Sequence, residues 1–305
     1  MRPVTALPSR QAVGALQICA GMLIIPFLDV FAKLLGATHG PFEITFWRFF
    51  MQTALMLPFV VSLRLWAVPS GTLILQAVRG LLLAMATVFF FAALKHLPMA
   101  EAIAIFFAQP MILTLLSALM LGERLRARRI GAIIAGMGGT LIILQPSILI
   151  FGWPAILPLG SALSMALYMV LTRKLAGTVN PYQMQFLGSV AAMIGLGLVV
   201  SAGTVFSIPG AGMSMLTGQE VLWVIGMGLA ATLGHAFIVF AAGNAPANLL
   251  APFQYVEIIG ATALGYLVFS DIPAKTTVIG VGVIILSGIY LFHRERVVAL
   301  RDARR

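Results

Sequence analysis

Nine acidic residues stand among 305, against nineteen lysines and arginines. Several of these charges fall inside long apolar runs. An ionisable group at the centre of a bilayer costs on the order of 3 kcal/mol or more, so it faces a cavity or a partner. Asp29 and Lys33 lie four residues apart on one helix face and can neutralise each other. Arg48, Arg79, Glu101 and Gln109 follow in the next three runs, then His235 and Glu257 near the middle of two later ones. Glu257 carries the strongest functional reading, because nothing in its own run neutralises it. It can take up a proton or meet a cationic group, and His235 can assist. Tyr168 and Tyr255 can add ring faces and hydroxyls.

Structural readings stand beside these. Asp29 and Lys33 suit a structural pair as well as a solute contact. Arg79 suits helix bridging or snorkelling, and so does Arg48. Glu101 lies near enough to a run's end to be hydrated, and His235 suits a hydrogen-bonded packing role. The tyrosines suit the core.

The elements that position these residues follow from composition. Apolar residues make up 61% of the chain and charged residues 9%, against about a quarter charged in soluble domains. That excludes a soluble globule, and the aliphatic content excludes a disordered chain. Cys19 alone excludes a disulfide scaffold. Ten runs are long enough to cross a bilayer: 13–36, 42–63, 72–94, 99–121, 129–146, 153–173, 182–202, 221–243, 248–269 and 276–293. Pro and Gly mark the breaks, as in Thr38-His39-Gly40-Pro41, Val68-Pro69-Ser70-Gly71 and Leu97-Pro98. Gly122-Glu123 and a run of arginines end the fourth. The runs are apolar on every face, so they are not barrel strands. The expected fold is an all-α integral membrane protein. The first run passes Asp29 and Lys33 with no cleavage region, so it reads as a retained span.

Positive charge marks the cytoplasmic side. With the N-terminus inside, the inner segments hold Arg2, Arg10, Arg64, Arg124, Arg126, Arg128, Arg129, Arg173, Lys174 and the arginines from 294 onward. The outer turns hold only Lys95 and Lys275. Both termini are therefore expected in the cytoplasm, and the net charge of +10 faces anionic lipid headgroups and no nucleic acid.

A shift of 148 residues superposes the halves: Gly80 on Gly228, Phe89 on Phe237, Ala93 on Ala241, Pro98 on Pro246 and Glu123 on Asp271. The same shift sets Gln109 on Glu257 and Thr87 on His235, which is where a site is expected. The expected division is an N-terminal segment 1–12, five-helix repeats 13–146 and 153–293, and a basic cytoplasmic tail 294–305. An odd number of spans per repeat inverts the second against the first, as in transporters that rock about a midplane site.

Enzyme motifs are absent. There is no Walker loop and no His-Glu-x-x-His. Gly226-x-Gly228 and Gly280-x-Gly282 lack a third glycine, and Gly212-x-Ser214 lacks the closing glycine of a nucleophile elbow. No metal or cofactor is expected, and pumping would draw on an ion gradient.

The order of several fragments resembles the drug/metabolite transporter superfamily, and within it the bacterial EamA-type transporters. The fragments are Asp29-x-x-x-Lys33, Phe46-Trp47-Arg48-Phe49, Arg79-Gly80-Leu81, Ala93 to Ala102 with Leu97-Pro98, Pro110, Leu121-Gly122-Glu123-Arg124 and a glycine-rich fifth span. The resemblance runs from about residue 13 to 293. It implies transport of small metabolites across the inner membrane, with the first four spans of each half lining a cavity and the fifth and tenth packed outside. Asp29, Arg48, Arg79, Glu101, Gln109, His235 and Glu257 then stand on cavity helices. The Asp-x-x-x-Lys and Arg-Gly-Leu patterns are similar to the branch with uptake proteins for S-adenosylmethionine and riboflavin. Gln109 before the proline departs from many relatives. The expectation is an alternating-access carrier, working as monomer or homodimer, for an S-adenosylmethionine-, riboflavin- or amino-acid-like solute with protons as a coupling partner. A passive facilitator and a membrane-embedded enzyme are the alternatives.

Overall fold

The computed structural model describes residues 10–69, 71–121, 127–175, 178–244 and 251–302. The segment before Arg10, the Gly122 to Arg126 break, the first residues of the ninth run and the last three residues lie outside that set.

The described residues form helices joined by short turns. In chain order these are α1 (Arg10–Leu35), α2 (Pro41–Ser62), α3 (Leu73–Leu94), α4 (Met99–Phe106), α5 (Gln109–Leu121) and α6 (Ala127–Phe151). Then come α7 (Leu157–Leu175), α8 (Pro181–Val205), α9 (Gly218–Asn244), α10 (Val256–Phe269) and α11 (Lys275–Asp302). Short 3₁₀ turns, Trp153–Ile156 and Ala251–Tyr255, lead into α7 and α10. Among the described residues, eight helical segments are long and apolar enough to cross a membrane, and Phe253–Phe269 and Lys275–Ser287 are shorter apolar helices.

Two features differ from the sequence reading. The fourth run is broken: α4 ends at Phe106 and α5 starts at Gln109, because Pro110 has no N–H to continue the ladder. The last helix also continues to Asp302 instead of ending near 293.

The packing is that of a bilayer protein. Large aliphatic residues face outward, with Leu149 80% and Ile74 79% exposed, while Asp29 and Arg48 are only 3% and 5% exposed. Apolar surface faces lipid, and polar groups are gathered inside.

The contacts come in matched sets. α1 packs on α9 and α10, as α7 packs on α3 and α5. α2 packs on α9 as α8 packs on α3. Two pairs match themselves: α2 with α8, and α6 with α11. Gly21 faces Phe237 at 3.2 Å from its would-be Cβ, and Gly160 faces Phe89 at 3.2 Å; these are the phenylalanines that the 148-residue shift superposes.

Small residues allow these approaches, since helices in lipid associate by close van der Waals packing. A Cβ on Gly80 would collide with the carbonyl of Gly188. Gly80→Val is therefore expected to force α3 from α8 and cost about 3 kcal/mol or more, the upper range of overpacking. A thermal melt in detergent checks this; an unchanged melting temperature would show that the helices yield freely.

Candidate functional site

The polar residues gathered inside come from both halves. Asp29 of α1 lies within electrostatic reach of Glu257 of α10 and Arg48 of α2. Arg48 is in turn within reach of Tyr168 of α7, and its Nη1 donates to Thr87 Oγ1 of α3. The guanidinium lies 4.6 Å from the centroid of Phe49. His235 of α9 is within electrostatic reach of Arg48 and Arg79. Its Nδ1 lies 2.7 Å from the carbonyl of Ala231, so Nδ1 donates and a neutral ring leaves its lone pair on Nε2. Thr87 and His235, superposed by the repeat, thus both lie next to Arg48 in charge or hydrogen bonding.

The break in the fourth span meets the entry to α10. Phe107, at the break between α4 and α5, lies 5.2 Å from Tyr255, at the entry to α10, ring centroid to ring centroid. These residues are 148 apart, so repeat-equivalent positions touch. Gln109 and Glu257 each follow two residues later. Discontinuous helices meeting at mid-depth are where carriers place their solute.

The cluster has unmet bonding capacity. Among the described residues, Asp29 Oδ2 and Arg48 Nε have no hydrogen-bond partner despite burial. Buried polar atoms are normally paired, so such atoms need a reason.

Arg79 stands apart in role. Its Nε donates to Thr172 Oγ1 at 2.7 Å, Nη1 to the carbonyl of Met184 at 2.8 Å, and Nη2 to the hydroxyl of Tyr168 at 2.7 Å. The guanidinium also lies 4.5 Å from the Tyr168 ring centroid. It clamps α3 to α7 and α8, which matches its helix-bridging reading and engages Tyr168 in the same clamp.

Two other candidates are not brought to the centre. Lys33 does not neutralise Asp29. Its Nζ pairs with Asp271 Oδ2 at 2.5 Å, donates to the carbonyl of Leu97 at 3.4 Å and lies 4.6 Å from the Phe269 centroid. The long lysine stem carries the ammonium toward the helix end, whereas the short aspartate stays at depth. Glu101 is 4% exposed and so is not hydrated. It accepts from Ser147 Oγ at 3.1 Å and from the Thr277 hydroxyl, pinning α4 to α6 and α11.

Comparison with known proteins agrees with this architecture. A model of the EamA-like transporter family matches residues 12–145 and again 152–293. The chain belongs to the EamA-like transporter family. It is therefore a membrane-spanning transporter and not an enzyme. A riboflavin transporter of Rhizobium johnstonii is 28% identical, the match covering 94% of this chain and 93% of that one. An S-adenosylmethionine uptake transporter of Rickettsia prowazekii is 26% identical over 88% of each. A protein of solved crystal structure shares the fold with a TM-score of 0.63 at 21% identity, covering 91% of this chain and 95% of that one.

For an EamA-like chain, one polar group escaped the sequence reading. His39, Glu43 and Glu220 meet at the end of the bundle that holds the α1–α2 turn. Both carboxylates lie in the first turn of a helix, where they read as ordinary companions of the helix dipole. Only the contact across the halves, 182 residues long from Thr38 to Glu220, shows otherwise.

Proposed function

We propose that this chain is a secondary transporter of the bacterial inner membrane, moving a small organic solute that carries both charge signs by alternating access. One observation supports this above others. Asp29 and Arg48 from the first half meet Glu257 and His235 from the second, and an acceptor and a donor among them are unpartnered.

The division of labour follows from charge. Asp29 and Glu257 suit a cationic group, and Arg48 suits a carboxylate through its remaining N–H. The rings of Phe107 and Tyr255 offer flat apolar contact beside them. S-adenosylmethionine, with a sulfonium, an ammonium and a carboxylate, fits this set, and so does an amino acid. Riboflavin would draw on the rings and on hydrogen bonds. The names of the two transporter relatives support both classes. The sequence encodes no nucleotide-driven engine, so accumulation draws on an ion gradient, with protons taken up at Glu257 as the coupling step.

The two halves stand as inverted repeats rocking about this centre. The positive-inside count supports cytoplasmic termini. In that orientation the α1–α2 turn and the loop 206–217 lie outside, and the loop 63–72 inside.

Flux into proteoliposomes tests the proposal. Labelled S-adenosylmethionine, riboflavin and an amino-acid panel are offered with an imposed pH gradient. Accumulation that a protonophore collapses is the expected result. Equilibration without accumulation would replace the carrier with a passive facilitator, and absence of flux for every solute would remove the charge-based solute class.

A further inference from the structure

Two helix starts hold loops of the opposite half, at opposite ends of the bundle. Glu43 stands two residues after Pro41, which opens α2, and Gln183 stands two residues after Pro181, which opens α8. Glu43 accepts from the backbone N–H of Ser214 at 2.9 Å and from Ser214 Oγ at 3.0 Å, in the loop between α8 and α9. Gln183 Nε2 donates to the carbonyls of Leu65 at 3.0 Å and Ala67 at 2.7 Å, in the loop between α2 and α3. The positions correspond, but the chemistry does not: one latch is built on a carboxylate, the other on an amide.

The carboxylate latch encloses a histidine. His39 Nδ1 lies 3.0 Å from Glu43 Oε2 and 2.7 Å from Ser214 Oγ, and Nε2 makes an ion contact of 3.1 Å with Glu220 Oε1. His39, Glu43 and Glu220 are 4%, 1% and 6% exposed. Glu220 also accepts from Thr38 Oγ1 and from the backbone N–H of Thr217, both at 2.7 Å. Lys95, arriving from the end of α3, donates to the carbonyl of His39 at 3.1 Å. Beneath these, Gly40 abuts the backbone of Gly210, which leaves no room for a side chain.

This arrangement selects a protonation state. Among the described residues Nε2 has no aligned hydrogen-bond partner, so what draws an imidazolium to both carboxylates is charge, at 3.0 and 3.1 Å. A neutral ring turns a lone pair toward one of them. We propose that His39, Glu43 and Glu220 form a proton-binding site that latches the outer gate, while the inner latch at Gln183 binds no proton. The proposal rests on the transport reading, since alternating access is what makes these ends gates.

The sign follows from proton count. With the gate shut, the site holds one proton between two carboxylates. With the gate open, His39 keeps Glu43, four residues along the same chain segment, and meets water in place of Glu220 and Ser214. The shut form binds more protons, so its population rises as the outer pH falls.

Distance measurement by pulsed electron resonance tests this without any solute. Spin labels are placed on Ala37→Cys and Met215→Cys, both exposed positions, in a Cys19→Ser background in nanodiscs. The short-distance population is expected to grow about threefold or more from pH 8 to pH 5. His39→Gln is expected to abolish that growth. Glu220→Gln is expected to move its midpoint down by about one pH unit or more, as loss of one opposing charge does. Gln183→Ala is expected to leave the outer response intact. A parent distribution that does not change with pH overturns the proposal, and so does a pH response retained by His39→Gln. If His39→Gln does not fold, an unmoved midpoint in Glu220→Gln overturns it instead. Failure of the transport reading would appear separately, as absent flux in proteoliposomes with this pH response present.

Discussion

Glu257→Gln is expected to weaken binding of a cationic solute by about 10- to 100-fold, the loss of one charge-assisted contact of roughly 1.5–3 kcal/mol. The readout is thermal stabilisation of purified protein by a solute panel at two pH values, because a ligand of the folded state raises its melting temperature by mass action. The substitution is close to isosteric and keeps the carbonyl acceptor, so the cavity's shape is preserved. The protein without solute is expected to melt no lower than the parent. Glu257 and Asp29 are like charges within electrostatic reach, and neutralising one removes their repulsion. A binding defect is thereby separated from misfolding. Proton-driven accumulation is expected to fall with it. Undiminished stabilisation, together with an unchanged pH dependence of flux, would take Glu257 out of the site.

The span reading was legible because it depends on composition and length, which the bilayer constrains directly. Apolar runs such as 182–202 and 221–243 have no other environment in which to fold, and they fall within α8 and α9. The 148-residue correspondence has a counterpart in the contacts. Phe89 and Phe237, matched by spacing alone, face Gly160 and Gly21 in equivalent contacts. The run 99–121 was read as one unbroken span, and the split at Pro110 emerged only from the restart of α5 at Gln109.

Side-chain partners were less legible, because they join positions far apart in sequence. The four-residue spacing of Asp29 and Lys33 implied a local pair, yet Lys33 finds Asp271, 238 residues away. Helical spacing states which residues share a face and leaves open what that face meets. Glu101 shows the same gap: its position near a helix start implied water, and α6 and α11 cover it instead. His39 was read as part of a turn, Thr38-His39-Gly40-Pro41, since the carboxylates that enclose it lie on helix starts from both halves. The central cluster was legible in part. Depth near the middle of a span selected His235 and Glu257, while Asp29 and Arg48 stood out as charges inside apolar runs, and depth is the one coordinate that sequence supplies in a membrane protein.

Arg79→Ala is expected to destabilise the fold by about 3–5 kcal/mol, the range for breaking a buried, charge-assisted network. Three acceptors lose their donor at once: Thr172 Oγ1, the Met184 carbonyl and the Tyr168 hydroxyl. The space next to Gly188, whose would-be Cβ lies 3.0 Å from Arg79 Nη1, is emptied as well. Arg79→Lys is expected to recover only a minor part, because an ammonium is a point donor and cannot span three acceptors as a planar fork does. Arg79→Met, which removes the charge and keeps the bulk, is expected to fall between alanine and the parent, since apolar replacement of a buried ion also removes its desolvation cost. Melting temperatures of the four proteins, without solute, give this order. The order separates the two readings of Arg79. A clamp between α3, α7 and α8 predicts that every variant is destabilised, and Arg79→Ala the most, because it loses the donors and the bulk together. A solute contact predicts four similar melting temperatures with solute stabilisation lost from all three variants, and that result would move Arg79 from the frame of the site to its interior.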